Sequence, residues 1–214
     1  MKTLFRFSCA AIFLFLCLPQ VRASSLCALT AGNLVSNCGF ETGSFSSWTL
    51  TGNDTPAELD NLYGVEGTDP FDSMGPNSGS FQAFFGDLDS NSTTLSQTIA
   101  TTVGKVYTIT YYLAQDTAPG GAYTNDLAVS FDGISLVNAT GVPVSGYTDY
   151  SYTVKATTAS SVLSMKFGDD LGEFLLDDVT VVQKSPEPAA WMLMLGGAML
   201  VVVFRPKRGS GAAR

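Results

Sequence analysis

From Thr93 to Val182 the chain keeps switching between two residue classes at a period of two, and this pattern limits the fold more than any other feature. Thr93 to Thr101, Val106 to Ala114, Leu127 to Phe131, Tyr147 to Ala156, Ser161 to Phe167 and Phe174 to Val182 are rich in Thr, Val, Tyr, Ile and Phe. In the second run Val106, Thr108 and Thr110 fall on one side and Tyr107, Ile109 and Tyr111 on the other, as a half-buried strand requires. Val103-Gly104-Lys105, Pro119-Gly120-Gly121, Asp132-Gly133 and Ser145-Gly146 break the runs. Asp132-Gly133 between Phe131 and Ile134 has the composition of a tight hairpin turn. Many short strands with frequent turns and almost no helix signals predict an all-β fold, an antiparallel jelly-roll β-sandwich. Asn53 to Ser80 is rich in Gly, Asp and Pro and reads as a long loop with room for one short strand.

The two ends do not belong to that pattern. Lys2 and Arg6 precede the apolar stretch Phe7 to Leu18, and Val21-Arg22-Ala23 places small residues at cleavage spacing. Residues 1–23 therefore read as a secretory signal peptide cut between Ala23 and Ser24 by signal peptidase after passage through the Sec machinery. Leu16 and Leu26 precede Cys17 and Cys27, which excludes a lipoprotein cysteine at either place. At the other end, Ser185-Pro186-Glu187-Pro188 leads into an apolar run from Ala189 to Phe204, followed by Arg205-Pro206-Lys207-Arg208. Prolines at 186 and 188 hold the chain extended, the run can enter a membrane as one helix, and the cations stay on the cytoplasmic side. The run is shorter than the roughly 20 residues of an ordinary span. The chain thus divides into residues 1–23, a β-sandwich domain over 24–184 and a hydrophobic, basic segment over 185–210.

Once the ends are set aside, charge and cysteine become informative. Residues 24–184 hold four basic and 18 acidic residues, a net charge of −14. That balance excludes binding to a nucleic-acid backbone, which needs clustered Lys and Arg, and suits divalent cations. About 160 residues suffice for one domain with one core. Cys9 and Cys17 leave with the signal peptide, so Cys27 and Cys38 are the remaining pair. In an exported protein they are expected to form a disulfide that stabilises by roughly 2–4 kcal/mol. A metal held by both thiols is the alternative.

The Pro-Glu-Pro, apolar run and basic cluster together closely resemble the PEP-CTERM sorting signal of bacterial envelope proteins. That resemblance implies an exosortase-type membrane transpeptidase as partner, acting at Pro186, Glu187 and Pro188, with Arg205, Lys207 and Arg208 as the inner-side cluster. It also implies a precursor anchored in the inner membrane and a product in the cell envelope or outside the cell. A second resemblance covers nearly the whole domain. Asn33-Leu34-Val35-Ser36-Asn37-Cys38-Gly39-Phe40-Glu41, then Phe45 and Trp48-Thr49, is similar to the opening strand of galactose-binding-like jelly rolls of the carbohydrate-binding-module branch. Phe174 to Val181, with its Asp177-Asp178-Val179, is similar to their closing strand, and Gly79 to Gly86 with Leu95 to Thr98 to middle strands of exported PEP-CTERM proteins. Cys38 stands where that pattern has a first glycine, and Ser47 where glycine precedes the tryptophan.

The resemblance implies a structural Ca2+ held by Glu41 and Asp178. First and last strands of a sandwich can be neighbours, and two close carboxylates repel unless a cation neutralises them. By strand alternation Asp177 is expected to point to the opposite face. Enzyme templates mostly fail: without histidine there is no Ser-His-Asp triad, and no phosphate loop occurs. The densest acid group, Asp169-Asp170, Glu173 and Asp177-Asp178, offers carboxylate pairs for a glycoside-active hydrolase, the alternative to a non-catalytic protein that binds envelope polysaccharide. Candidate sugar platforms are Trp48, Tyr111, Tyr112, Tyr123, Tyr147, Tyr150 and Tyr152, with Tyr63, Phe71 and Tyr123 in turn-rich loops. Trp48 is expected to be a core anchor. The sequence names no sugar.

Overall fold

The computed structural model of the protein describes residues 24–52, 63–69, 73–86, 92–116, 124–169 and 172–185. Residues 1–23, the tail from Pro186 with its sorting residues, and Phe71, Asp170 and Tyr123 lie outside the described residues. In chain order the elements are α1 (Leu26–Leu29), β1 (Thr49–Thr51), β2 (Tyr63–Glu66), β3 (Gln82–Phe85), β4 (Thr93–Ala100), β5 (Val106–Gln115), β6 (Asn125–Phe131), β7 (Ile134–Thr140), β8 (Ser145–Lys155), β9 (Ser160–Asp169) and β10 (Phe174–Gln183). All strand pairings are antiparallel, in two five-stranded sheets ordered β1-β4-β9-β6-β7 and β2-β3-β10-β5-β8. This is the expected jelly-roll sandwich.

The six runs legible in the alternation are β4, β5, β6, β8, β9 and β10, each within two residues of expectation. In β5 the inward set Tyr107, Ile109, Tyr111 and Leu113 is buried, while Thr108, Thr110 and Tyr112 remain partly open. Four short or irregular strands carry weaker signals. Of these, β2 is the short strand allowed for in the 53–80 loop region, and β7 completes the hairpin whose turn is Asp132 (φ 54°) and Gly133 (φ 75°). Both turn residues are left-handed, as the tightest hairpins require. Between the sheets, Phe85 stacks on Phe167 with ring centroids 4.3 Å apart, and Phe174 packs on the same ring at 5.7 Å.

The stretch similar to an opening strand is not one. Residues 33–48 form successive turns rather than a strand, with one isolated β-bridge, from Asn33 to Val182. Asn37, Phe40 and Ser47 all have positive φ, which breaks any extended run. The segment still runs beside the last strand, as the sequence led one to expect. β3 pairs with β10 only along Phe174 to Leu176. Beyond that, the opening segment occupies β10's free side: Val179 N donates to Cys38 O (2.9 Å), Leu34 N to Val181 O (2.9 Å), and Val181 N to Asn33 Oδ1 (3.0 Å). Cys27 and Cys38 are joined by a disulfide, their Cα atoms 6.0 Å apart, which closes this segment on itself.

Candidate functional site

Two surfaces converge on β10, and both depend on how Asp177 and Asp178 leave the strand. Alternation fails here. The register between β10 and β5 shifts between Asp177 and Thr180, and Asp178 adopts φ 50°. The bulge turns both side chains toward the same loop, so the expectation that Asp177 points to the opposite face is corrected. Ser78 N donates to Asp177 Oδ2 (3.0 Å) and Ser78 Oγ to Asp178 Oδ2 (2.6 Å). Asp178 also accepts from Asn77 Nδ2 (2.8 Å) and, through Oδ1, from Cys27 N (2.9 Å). Both aspartates are almost fully buried.

Glu41 belongs to the same seam. Its Oε1 accepts from Ser80 N (2.8 Å) and Phe81 N (3.2 Å), two residues past the loop that holds the aspartates. Burial pushes the Asp177 carboxyl up to about 8, and the nearby Asp178 and Glu41 charges push the same way, against hydrogen bonds from the Ser78 and Asp178 amides. Among the described residues the single ion pair, Lys166 to Asp126 at 3.6 Å, lies elsewhere. Glu41, Asp177 and Asp178 thus meet at one seam, close enough for the Asp178 and Glu41 charges to act on the Asp177 carboxyl.

Two glycines make room for the seam. A Cβ on Gly79 (φ 73°) would collide with Glu41 Oε1. A Cβ on Gly39 would lie 2.5 Å from that of Ser25 and 3.4 Å from Asp177 Oδ1. Cys38, by contrast, has no positive φ, which is why a cysteine is tolerated where the similar motifs have their first glycine. Ser47 sits at φ 72°, a conformation that favours glycine, so this departure does carry backbone strain.

The second surface is the outer face of the sheet β2-β3-β10-β5-β8. By pairing, Tyr111 lies opposite Tyr150 and Ile109 opposite Tyr152, on the inward side. Tyr111 stacks on both tyrosines, at 5.3 and 6.2 Å, and burial together with Tyr152 holds its hydroxyl above the ordinary tyrosine range. Trp48 is buried and stacks on Phe40 at 5.8 Å, a core anchor as expected. Trp48 and Tyr111 are thus enclosed in the core, whereas Tyr150 and Tyr152 remain partly open. Tyr112 and Tyr147 are on the outer side. Tyr147 donates through its hydroxyl to Gln82 Oε1 (2.7 Å), and Gln82 Nε2 donates to Glu66 Oε1 and Met74 O (both 3.1 Å). This bridge runs from β8 to β3 over Ala114 and Leu175, both fully buried. Beside it a trough is lined by Leu26, Leu29, Thr110, Tyr112 and Thr180. The outer face of the other sheet presents Thr94, Ser96, Thr98, Val162, Ser164 and Lys166 along β4 and β9, with no aromatic ring.

The densest acid group does not stay together. Asp177 and Asp178 join Glu41, whereas Glu173 joins Glu66 and Asp69, the three carboxylates offering oxygens within 4.8 Å of one another. Glu66 and Asp69 are neighbours in sequence, but Glu173 reaches them only through the pairing of β2 with β3 and of β3 with the start of β10.

No protein-family model and no curated protein matches the chain. Solved structures do. A family-61 carbohydrate-binding module, TmCBM61, in complex with β-1,4-galactotriose superposes with a TM-score of 0.54 at 21% identity, over 71% of this chain and 99% of that one. The enzymatically active domain of tailspike protein 4 from bacteriophage CBA120 does so with a TM-score of 0.51 at 16% identity, over 72% of this chain and only 22% of that one. At such identities the likeness concerns architecture: the domain is a jelly-roll β-sandwich of the kind used by carbohydrate-binding modules.

Proposed function

We propose that the β-sandwich is the non-catalytic glycan-binding domain of an exported surface or extracellular-matrix protein. The observation that carries this reading is the asymmetry of the two outer faces, one aromatic and amide-bearing, the other made of small hydroxyls and aliphatics. Tyr112 lines a trough together with Leu26, Leu29, Thr30, Thr110 and Thr180, and Tyr147 and Gln82 are joined on the same sheet. A tyrosine ring offers a flat apolar plate to a sugar's C–H face, and neighbouring hydroxyls and amides supply oriented hydrogen bonds. The galactotriose-bound neighbour makes β-linked neutral polysaccharides the first ligands to try. Affinity electrophoresis against β-1,4-galactan, xylan and the native envelope polysaccharide should show retardation that Tyr112→Ala weakens at least tenfold. Retardation unchanged in Tyr112→Ala would place binding elsewhere. Release of reducing ends from the bound polysaccharide would replace this reading with the hydrolase.

Glu41 and Asp178 hold a structural Ca2+ in this account, with Asp177 as a third carboxylate. The ion supplies neutralising charge, and the residues tie the opening segment and the 73–81 loop to β10. Support comes from the meeting of Glu41, Asp177 and Asp178 at the seam between the opening segment, the 73–81 loop and β10. Calcium should raise Tm by mass action, and the double change Glu41→Ala with Asp178→Ala should abolish the rise. Equal melting in chelator and millimolar calcium removes the ion from the account.

The tail is a sorting signal: Ala189 to Phe204 holds the precursor in the inner membrane, and an exosortase-type transpeptidase acts at Pro186-Glu187-Pro188. Replacing those three residues with alanine should accumulate an uncut membrane precursor. Intact Trp191 to Arg208 as the dominant form in the native envelope would leave a plain anchor instead.

A further inference from the structure

The four lysines of residues 24–184 are unevenly placed. Lys166, on β9, is paired with Asp126. The other three meet at the pole where the β4–β5 and β8–β9 turns lie and where β10 ends. Val106 pairs with Lys155, Ala156 N donates to Lys105 O (2.9 Å), and Lys184 N donates to Val106 O (2.8 Å). A Cβ at Gly104 would lie 3.9 Å from Lys155 Cε, so that side chain lies along the β4–β5 turn. All three lysines are exposed, and Val103 at the turn's tip is 61% exposed. Among the described residues the turns at this pole hold one carboxylate, Asp132, whose oxygens accept from Thr157 and Thr158. At the opposite pole the sheet ends carry Asp116, Asp169 and Glu173. A domain of net charge −14 is thus basic only where its chain runs on toward the tail.

We propose that this lysine pole is a membrane-docking surface that rests on the anionic headgroups of the bilayer entered by Ala189 to Phe204. The proposal depends on the reading of that run as a membrane insert. From Ser185 to Ala189 an extended chain spans on the order of 15 Å, which keeps the pole near the headgroups. Three lysines are fewer than the four to eight of free polybasic segments, but tethering raises their effective concentration to the millimolar range. The acidic opposite pole is repelled by the same surface, so the field orients the domain with β10's end down and the outer sheet faces exposed laterally. That geometry would hold Pro186-Glu187-Pro188 at the membrane boundary.

The test is hydrogen–deuterium exchange on the full chain, reconstituted in nanodiscs of phosphatidylglycerol or of phosphatidylcholine. On the anionic discs amides of residues 102–105 and 156–158 should exchange at least fivefold more slowly than on neutral discs, taking roughly fivefold per interacting lysine. Amides of residues 141–144 at the opposite pole should not differ. Raising salt to 0.5 M should remove the difference, because screening then acts within a few ångströms. The triple change Lys105→Glu, Lys155→Glu and Lys184→Glu should remove it at low salt while the chain still co-floats with the discs. Equal exchange on both lipids with the chain firmly inserted overturns the docking surface alone. A chain that co-floats with neither lipid overturns the insertion reading and this surface with it.

Discussion

Two aspartates, Asp132 and Asp178, do the same mechanical job at opposite ends of the range of sequence distance. Each sits in the left-handed region, at φ 54° and φ 50°, and each turns its carboxylate back to grip a loop. Asp132 holds Thr157 and Thr158, about 25 residues away, at an exposed turn. Asp178 holds Asn77 and Ser78, about 100 residues away, and Cys27, 151 residues away, in a buried seam. Exposure lets water share the first set of bonds, whereas burial makes the second set hard to replace. A backbone conformation that costs about 1 kcal/mol or more is offset locally in one case and only by long-range closure in the other.

The largest expected effect tests that contrast directly. Asp178→Ala leaves the Cys27 amide, Asn77 and Ser78 without their buried acceptor and should destabilise by about 3–5 kcal/mol in urea denaturation. Asp132→Ala should shift the midpoint far less; a comparable loss at both positions would break the comparison.

Next comes Gly79→Ala, where the new methyl meets Glu41 at a positive φ. A loss of about 2 kcal/mol or more is expected, with a weakened response to calcium. A neutral outcome would mean that Glu41 moves freely and is no part of the seam.

The pH dependence separates the two regions by sign. Asp177, neighbour of Asp178, has its folded-state carboxyl raised to about 8 from an ordinary 3.8. Its contribution is fully present below pH 4 and is lost as pH rises toward 8, so in chelator stability should decline across that window. Asp177→Asn should flatten the decline, and calcium should oppose it. Asp132 is held below the ordinary carboxylate range by the Thr157 and Thr158 hydrogen bonds. Its contribution is present above pH 4 and is lost on acidification below that, so Asp132→Asn should soften the acid limb only. Chelator melts from pH 3 to 9 on the two variants would decide; matching profiles would refute the opposite signs.

The smallest effect belongs to Ser47, a third left-handed residue. Ser47→Gly relieves that strain while adding unfolded-state freedom, so a net gain of about 0.5 kcal/mol is expected in Tm measurements. A loss would mean that the serine side chain compensates its own backbone.

How much of this was legible depends on the range of the interaction. The long strands β4, β5, β6, β8, β9 and β10 declared themselves by alternation, and Asp132-Gly133 declared its hairpin, because both signals arise within a few residues. β1 and β3 are three and four residues long, too short for a period to register. The disulfide was legible because reading residues 1–23 as a signal peptide leaves one pair of cysteines. Alternation in β5 already set Tyr112 on the side of Thr108 and Thr110, away from Tyr111, but which side faces the core and where Tyr147 falls beside the shift between Leu113 and Gln115 needed the sheet pairing.

By itself, then, the chain's order of residues determined the all-β class, the positions of the long strands and the acidic balance, all of which follow from local propensity and composition. Tertiary structure alone decided that the Asn33–Glu41 stretch is a turn-rich filler of β10's open side. It also decided that a bulge sends Asp177 and Asp178 the same way, and that three lysines share one pole. The physical reason is that each of these depends on register between segments about 50 to 150 residues apart, and a one-residue shift at a bulge reverses which face a side chain occupies.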